Sequence, residues 1–186
     1  LTDLVMPGGR TGVDLARVAI CPVATNDTWT RDFGPITVEV NDQPVLLDFG
    51  FNGWGLKFAA NLDNQVTQQL KQQGALLPRT NIVGLVFEGG SIESNGCGTV
   101  MTTSQCLLSP NRNPQLSKAQ IEDLLRAYLN VDTIIWLGRG VYLDETNGHV
   151  DNIINIVRPG VVALTWTDDR NDPQWEISND AYERLT

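Results

Sequence analysis

One pattern recurs along the chain and narrows what it can fold into: an acidic lead-in, a hairpin, a helix and a further strand. In the first pass Phe33–Val40 reads as a strand, Asn41-Asp42-Gln43-Pro44 as a turn and Val45–Phe51 as the return strand. A glycine-rich connection, Phe49–Gly55, leads to a helix over Asn61–Gln73. Asn61 is its expected N-cap, Leu62, Val66 and Leu70 share one face, and Gly74 is the stop. In the second pass Ile82–Phe87 is strand-like, Asn95-Gly96 signals a hairpin turn, and Thr99–Thr103 runs back. Ser117 and Gln120 then form a capping box for a helix to Leu129, and Val131–Leu137 closes the unit. In the third, Gly148–Asp151 feeds a strand over Asn152–Val157, Arg158-Pro159-Gly160 turns, Val161–Trp166 returns, and Asp172-Pro173 opens a helix. Asp32, Glu88 and Asp151 are the acidic residues of the three lead-ins. This recurrence predicts an α/β fold of about three similar units, with a helix over each sheet and the lead-ins gathered near a common axis. Taken alone, hairpin–helix alternation fits a generic α+β domain equally well.

A closed ring of such units needs more chain than these 186 residues. The chain opens Leu1-Thr2-Asp3-Leu4 without an initiator Met, and Ala181–Thr186 stops inside a helical pattern. Residues 1–186 are therefore expected to be part of a single larger domain.

Charge and cysteine usage exclude several functions. The formal net charge is −9, which disfavours nucleic acid and anionic membrane surfaces and suits a small cationic partner. No run is long enough to span a bilayer, and no charged-then-apolar leader opens the chain. Cys21, Cys97 and Cys106 form neither a disulfide framework nor a CxxC zinc motif, so the expected setting is the reducing cytoplasm. Asn26-Asp27-Thr28 matches a glycosylation sequon, with nothing beside it that indicates secretion.

The single histidine lies in Gly148-His149-Val150-Asp151-Asn152, directly before an apolar run. At a strand entrance, residues i and i+2 face one side, so His149 and Asp151 would project together. A lone histidine of this kind is more often a surface turn residue. Two other segments change that balance. Trp29-Thr30-Arg31-Asp32 precedes Gly34-Pro35 and a strand, and Glu88 stands beside Gly89-Gly90, where missing side chains permit close approach. Together these supply two aspartates, a glutamate and a histidine. Asp32 and Asp151 can each accept paired hydrogen bonds from the N–H fork of a planar guanidinium. Glu88 beside His149 would orient the ring and stabilise its charged form. Such a set suits hydrolysis at a guanidinium carbon, for which a thiolate is the natural nucleophile.

Several strings resemble the agmatine deiminase family: Thr28-Trp29-Thr30-Arg31-Asp32-Phe33-Gly34-Pro35, Phe87-Glu88-Gly89-Gly90-Ser91-Ile92 and Thr146-Asn147-Gly148-His149-Val150-Asp151-Asn152. Cys106-Leu107-Leu108-Ser109-Pro110-Asn111-Arg112-Asn113-Pro114 and Arg158-Pro159-Gly160 resemble it too, and the likeness covers nearly the whole chain. The resemblance implies the pentein fold, a five-bladed α/β propeller of the guanidine-modifying superfamily. It implies conversion of agmatine to N-carbamoylputrescine and ammonia, a step of putrescine biosynthesis, through a covalent intermediate on cysteine. On this likeness Asp32 and Asp151 grip the guanidinium and His149 is the general acid and base. Glu88 pairs with His149 or helps to hold the guanidinium, and Trp29 lines the pocket. No cofactor and no metal are implied. The family's nucleophilic cysteine matches none of Cys21, Cys97 and Cys106. It is expected outside this sequence, and the 186 residues alone are expected to be inactive.

Other readings stay open on the residues. Asp32, Glu88, His149 and Asp151 could hold a divalent ion in a metal hydrolase, although one histidine among carboxylates is a poor zinc set. A non-catalytic guanidinium-binding module would need the same residues. Within the family, Gly148–Asn152 looks like agmatine deiminase proper, whereas Trp54-Gly55-Leu56-Lys57-Phe58 looks more like peptidyl-arginine deiminases. Free arginine would need an arginine side chain to read its carboxylate. Arg112, Arg139 and Arg158 are present, all in turn-like contexts. Assembly into a homo-oligomer is left open.

Overall fold

The computed structural model describes residues 14–78 and 80–186; the chain's opening, Leu1-Thr2-Asp3-Leu4, lies outside the described residues. Three small sheets follow one another. Strands β1 (Ile36–Val40), β2 (Gln43–Gly50) and β3 (Thr80–Val86) form the first, in that spatial order. Strands β4 (Ile92–Ser94), β5 (Thr99–Thr103) and β6 (Thr133–Leu137) form the second, and β7 (Ile154–Arg158) pairs with β8 (Val161–Leu164) in the third. The first two sheets share one topology: an antiparallel hairpin, then a helical crossover to a strand parallel to the hairpin's second arm. A parallel partner cannot be reached by a tight turn, so each hairpin must be followed by a crossover of this kind. The third hairpin is followed by the helix Pro173–Leu185.

Local chemistry accounts for the elements. The β1–β2 turn places Asn41 and Asp42 at φ 51° and 58°, the left-handed pair of a two-residue hairpin. Helix Lys118–Leu129 carries the full Ser117–Gln120 capping box and ends on left-handed Asn130. Asp172 caps the last helix by accepting from the Gln174 N–H, with Pro173 at its start.

Several boundaries differ from the sequence expectation, and one strand changes partner: the strand expected to lead the second unit, Ile82–Phe87, is β3 and pairs with β2 in the first sheet, while the short β4 takes its place in the second hairpin. Thr30–Phe33 is a single helical turn, closed by the Gly34 N–H on the Thr30 carbonyl, so β1 begins only at Ile36. Pro44 lies inside β2 rather than in the turn. Its missing N–H costs nothing there, because β3 begins to pair only at Leu46. The helix expected from Asn61 starts as a short 3-10 segment, Asp63–Gln65, and becomes α-helical over Val66–Gln72. Asn26, not Asn61, caps it: Asn26 Oδ1 accepts from the Leu62 N–H at 2.7 Å, and Asp63 Oδ1 accepts from the Asn26 N–H at 2.6 Å.

The apolar core is shared between neighbouring sheets. Val45, Leu47 and Phe49 of β2 and Leu85 of β3 pack with Val100 of β5 and with Ile121 and Leu125 of the capped helix. Met101, Leu137, Ile154 and Ile177 join the second sheet, the third sheet and the last helix. Because helices fill the gaps between sheets, the lead-ins are left to meet on one side, where buried polar residues replace the apolar core. Among the described residues, no helix is long and apolar enough to cross a membrane.

Candidate active site

The three lead-ins converge on His149, which is 1% exposed. Its Nδ1 lies 3.6 Å from Asp32 Oδ1 and 3.9 Å from Asp151 Oδ1, and its Nε2 lies 3.6 Å from Glu88 Oε2. Carboxylate oxygens therefore face both ring nitrogens, the arrangement that accommodates a ring able to donate from either side. All four residues predicted from sequence are brought together, and Trp29 lies on the wall of the same pocket, 62% exposed. The expected route is corrected in one respect. Residues 150–153 form a turn and β7 begins at Ile154, so His149 and Asp151 meet by chain reversal rather than by strand alternation.

The site is fixed by hydrogen bonds that run between the lead-ins and neighbouring segments. Asp32 sits in the Thr30–Phe33 turn; its Oδ1 accepts from the Gly90 N–H at 3.1 Å and its Oδ2 from Trp54 Nε1 at 2.9 Å. Gly89 and Gly90 form the floor of the site. A Cβ on Gly90 would fall against His149 Nδ1, Asp32 Oδ1 and Asp151 Oδ2, and one on Gly89 would strike the Arg31 carbonyl. The Asp151 N–H bonds the Gly90 carbonyl at 3.3 Å, tying the third lead-in to the second. The His149 N–H is held by Thr146 Oγ1 at 3.1 Å, and the Gly148 carbonyl accepts from Thr103 Oγ1 at the end of β5.

Charges are shaped by burial and by these neighbours. Glu88 is fully buried, which alone would push its carboxyl up. Its contacts with His149 and Arg112 outweigh that and hold it below the usual range. At 3.6 Å the His149 contact is longer than a hydrogen bond, so the 2.7 Å bond from Arg112 Nε is the firmer hold. Asp151 is pushed up, chiefly by burial and further by Asp32, against the pull of His149. Asp144 is held down despite its burial, by hydrogen bonds from Thr146 and Gly148.

The pocket has a volume of about 500 Å³. Its acidic lining comprises Asp27, Asp32, Asp144, Glu145 and Asp151, with Arg31 the one Lys or Arg among the described lining residues and Trp54 and Phe58 as apolar walls. Sequence reasoning named Trp54 only within the Trp54–Phe58 string and gave no site role to Trp54, Asp144 or Glu145. Trp54 is buried at a left-handed φ of 57°, flanked by Gly53 and Gly55, and that Gly-Trp-Gly string was the one available signal. Arg112 is not a pocket residue that could read a carboxylate. It is buried behind Glu88.

Cys106 is fully buried, yet it lies beside the site. Its sulfur stands with ligand atoms of Glu88 and His149 within 4.8 Å of one another. Burial nevertheless drives its thiol far above the ordinary range, so the nearby histidine does not activate it. The same three side chains could in principle clasp a metal ion. The Arg112 guanidinium already occupies the Glu88 oxygen, and a fixed positive charge there opposes a dication.

The chain is similar over most of its length to several known proteins. A Listeria monocytogenes protein with the provisional name agmatine deiminase 1 is 51% identical over 176 residues, covering 91% of this chain and 48% of its own length. The chain thus spans about half the length of such relatives. A solved serine-for-cysteine variant of C. jejuni agmatine deiminase with substrate bound is similar with a TM-score of 0.85 and 37% identity, over 92% of this chain and 52% of that one. Enterococcus faecalis agmatine deiminase is similar with a TM-score of 0.80 and 42% identity, over 87% of this chain and 46% of that one. The sequence profile of Porphyromonas-type peptidyl-arginine deiminases matches residues 4–186, and the chain belongs to that family.

Proposed function

We propose that these residues form the guanidinium-binding and proton-transfer half of a cysteine-dependent agmatine deiminase of the pentein type, a five-bladed propeller. The observation that carries this reading is His149 enclosed by Asp32, Asp151 and Glu88 at the floor of an acidic pocket. Asp32 and Asp151 accept the N–H fork of the substrate guanidinium. A thiolate attacks the central carbon, His149 passes a proton to the leaving nitrogen, and ammonia departs. Water, deprotonated by His149, then attacks the amidino-thioether. The thiolate leaves, and the product is N-carbamoylputrescine, a putrescine precursor.

The thiol comes from outside this sequence. Cys106 is fully buried in the core, and neither Cys21 nor Cys97 lines the pocket. For the substrate, the acidic wall of Asp27, Asp144 and Glu145 complements the terminal ammonium of agmatine and repels the carboxylate of free arginine. Peptidyl-arginine is the second reading, favoured by the family's own description and by the exposed Trp29 and Phe58 at the pocket.

The test is ammonia release by the natural polypeptide that carries this sequence, offered agmatine, arginine and an N-acyl-arginine amide. Agmatine is expected to turn over fastest, with a covalent adduct visible by mass spectrometry. The 186 residues alone are expected to release none. Preference for the acylated arginine would favour the second reading, and agmatine binding without any adduct would favour a non-catalytic module.

A further inference from the structure

Behind the reacting groups lies a bracket built from three successive residues. Asn113 pairs twice with Val86: its Oδ1 accepts from the Val86 N–H at 3.0 Å, and its Nδ2 donates to the Val86 carbonyl at 2.8 Å. This pins the loop to the end of β3, two residues before Glu88. The Asn111 carbonyl accepts from Asn52 Nδ2 at 2.8 Å, which ties the same loop to the Trp54 turn. Between them Arg112, with its side chain fully buried, donates Nε to Glu88 Oε2 at 2.7 Å and Nη2 to the Thr146 carbonyl at 2.6 Å. Thr146 in turn holds the His149 N–H through its hydroxyl.

We infer that Arg112 is a positioning residue, whose guanidinium clamps the Glu88 carboxylate and the His149 turn into one unit and so sets the Glu88–His149 geometry. The inference rests on the reading of His149 as the acid–base group.

The physical case has two parts. A carboxylate with no solvent exposure is costly unless paired at close range, and Arg112 makes the shortest charged contact to Glu88. The other titratable groups facing Glu88 are His149 and the Cys106 thiol, of which only His149 can bear positive charge. The fork geometry also matters. One planar group reaches two acceptors from different elements, which a lysine ammonium on a flexible stem would not hold in register.

The experiment uses the natural polypeptide and two variants, Arg112→Met and Arg112→Lys, each also combined with Glu88→Gln. The first readout needs no activity: the infrared C=O band of a protonated carboxyl, titrated with pH and assigned to Glu88 by its loss in the Glu88→Gln background. Without the guanidinium the band is expected to appear at least about one pH unit higher than in the wild type. The second readout is kinetic. Arg112→Lys is expected to lower kcat by about tenfold to a hundredfold. KM for agmatine should stay within about threefold, because Asp32 and Asp151 are untouched. Adding either Arg112 variant to Glu88→Gln should cost less than the product of the two single effects, since they share the Glu88 carboxylate, while the Thr146 contact accounts for any remainder. An unshifted Glu88 band, a raised KM with unchanged kcat, or effects that multiply would each overturn the proposal. Should Arg112→Met fail to fold, Arg112→Lys decides by the same readouts. If the wild type turns over no guanidinium compound, the functional reading fails, and the infrared titration still judges the bracket.

Discussion

Replacing Gly90 with alanine tests the geometry of the floor most directly. Gly90 has no unusual backbone angle, and its two backbone hydrogen bonds, to Asp32 and from Asp151, survive the change. The perturbation is one methyl group. It would stand 2.7 Å from Asp32 Oδ1 and 2.8 Å from Asp151 Oδ2, and still nearer to His149 Nδ1. Ordinary contact begins at 3.4 Å, so the two carboxylates must each retreat by roughly 0.6–0.7 Å. His149 cannot retreat freely, because it is 1% exposed with Glu88 on its far side. Displacements near 1 Å in an acid–base site cost about a hundredfold, which is about 2.7 kcal/mol of transition-state stabilisation. Overpacking adds about 1–3 kcal/mol of lost stability. The assay is kcat/KM for agmatine by ammonia release, beside equilibrium urea unfolding of the same protein. Gly84→Ala is the control: a Cβ there meets nothing within 4 Å, so that variant should be fully active and neutral or stabilised by about 0.5 kcal/mol. Gly90→Ala activity within about threefold of wild type would refute the claim that this backbone is the floor of the site.

Trp54→Phe keeps an aromatic wall but removes the donor to Asp32; kcat/KM for agmatine is expected to fall about tenfold, measured by the same assay. Glu88 and Asp151 should shape the pH dependence of unfolding with opposite signs. The native Glu88 carboxyl is depressed, so its stabilisation is complete above its unfolded value near about pH 4.3. It is lost as pH falls through the native value, and Glu88→Gln should flatten that low-pH arm in urea titrations. The native Asp151 carboxyl is raised, so its ionisation costs stability as pH rises through that value. Asp151→Asn should therefore stabilise the neutral-pH protein in urea unfolding, while turnover is expected to be lost. Ser117→Ala breaks the capping box far from the pocket and should cost about 1 kcal/mol in urea unfolding without changing KM.

The recurring pattern made most hairpins and helix starts readable, because turns and caps are local: Ser117, Asn41-Asp42 and Asp172-Pro173 act on their own neighbours, whereas the sheet that β3 joins is decided across a helical crossover. That Asp32, Glu88, His149 and Asp151 lie together was also legible, since each stands at or beside one of the successive lead-ins. What failed was orientation. Period-two reasoning placed His149 and Asp151 on a strand, but residues 150–153 turn, with the Ile153 and Ile154 N–H groups both on the Val150 carbonyl. Arg112 and Trp54 were not assignable, because their partners are 24 and 22 residues away and nothing local announces such a bond. Asn26 looked like a glycosylation sequon, yet its side chain is a cap for a helix more than thirty residues on.

The position of Cys106 explains why proximity to a histidine is not enough to make a nucleophile. Its sulfur lies in the same small cluster as His149 and Glu88, so a distance criterion alone would nominate it. Attack requires a thiolate, a path to the substrate carbon and room for a new bond. Cys106 is fully buried within the apolar core shared by the first two sheets, and it contributes nothing to the pocket wall. Burial raises its thiol, and the carboxylates of Glu88, Asp32 and Asp144 raise it further against the pull of Arg112. The cluster is thus polarised in space. On the core side lie the buried Arg112 and Cys106, and on the pocket side the carboxylates of Asp32 and Asp151 line the wall. On the proposed function, a thiol able to react would therefore approach from the pocket side. Labelling the natural polypeptide with a haloacetamidine should modify a cysteine outside these 186 residues and leave Cys106 untouched. Modification of Cys106 in the folded protein would overturn this division of the site.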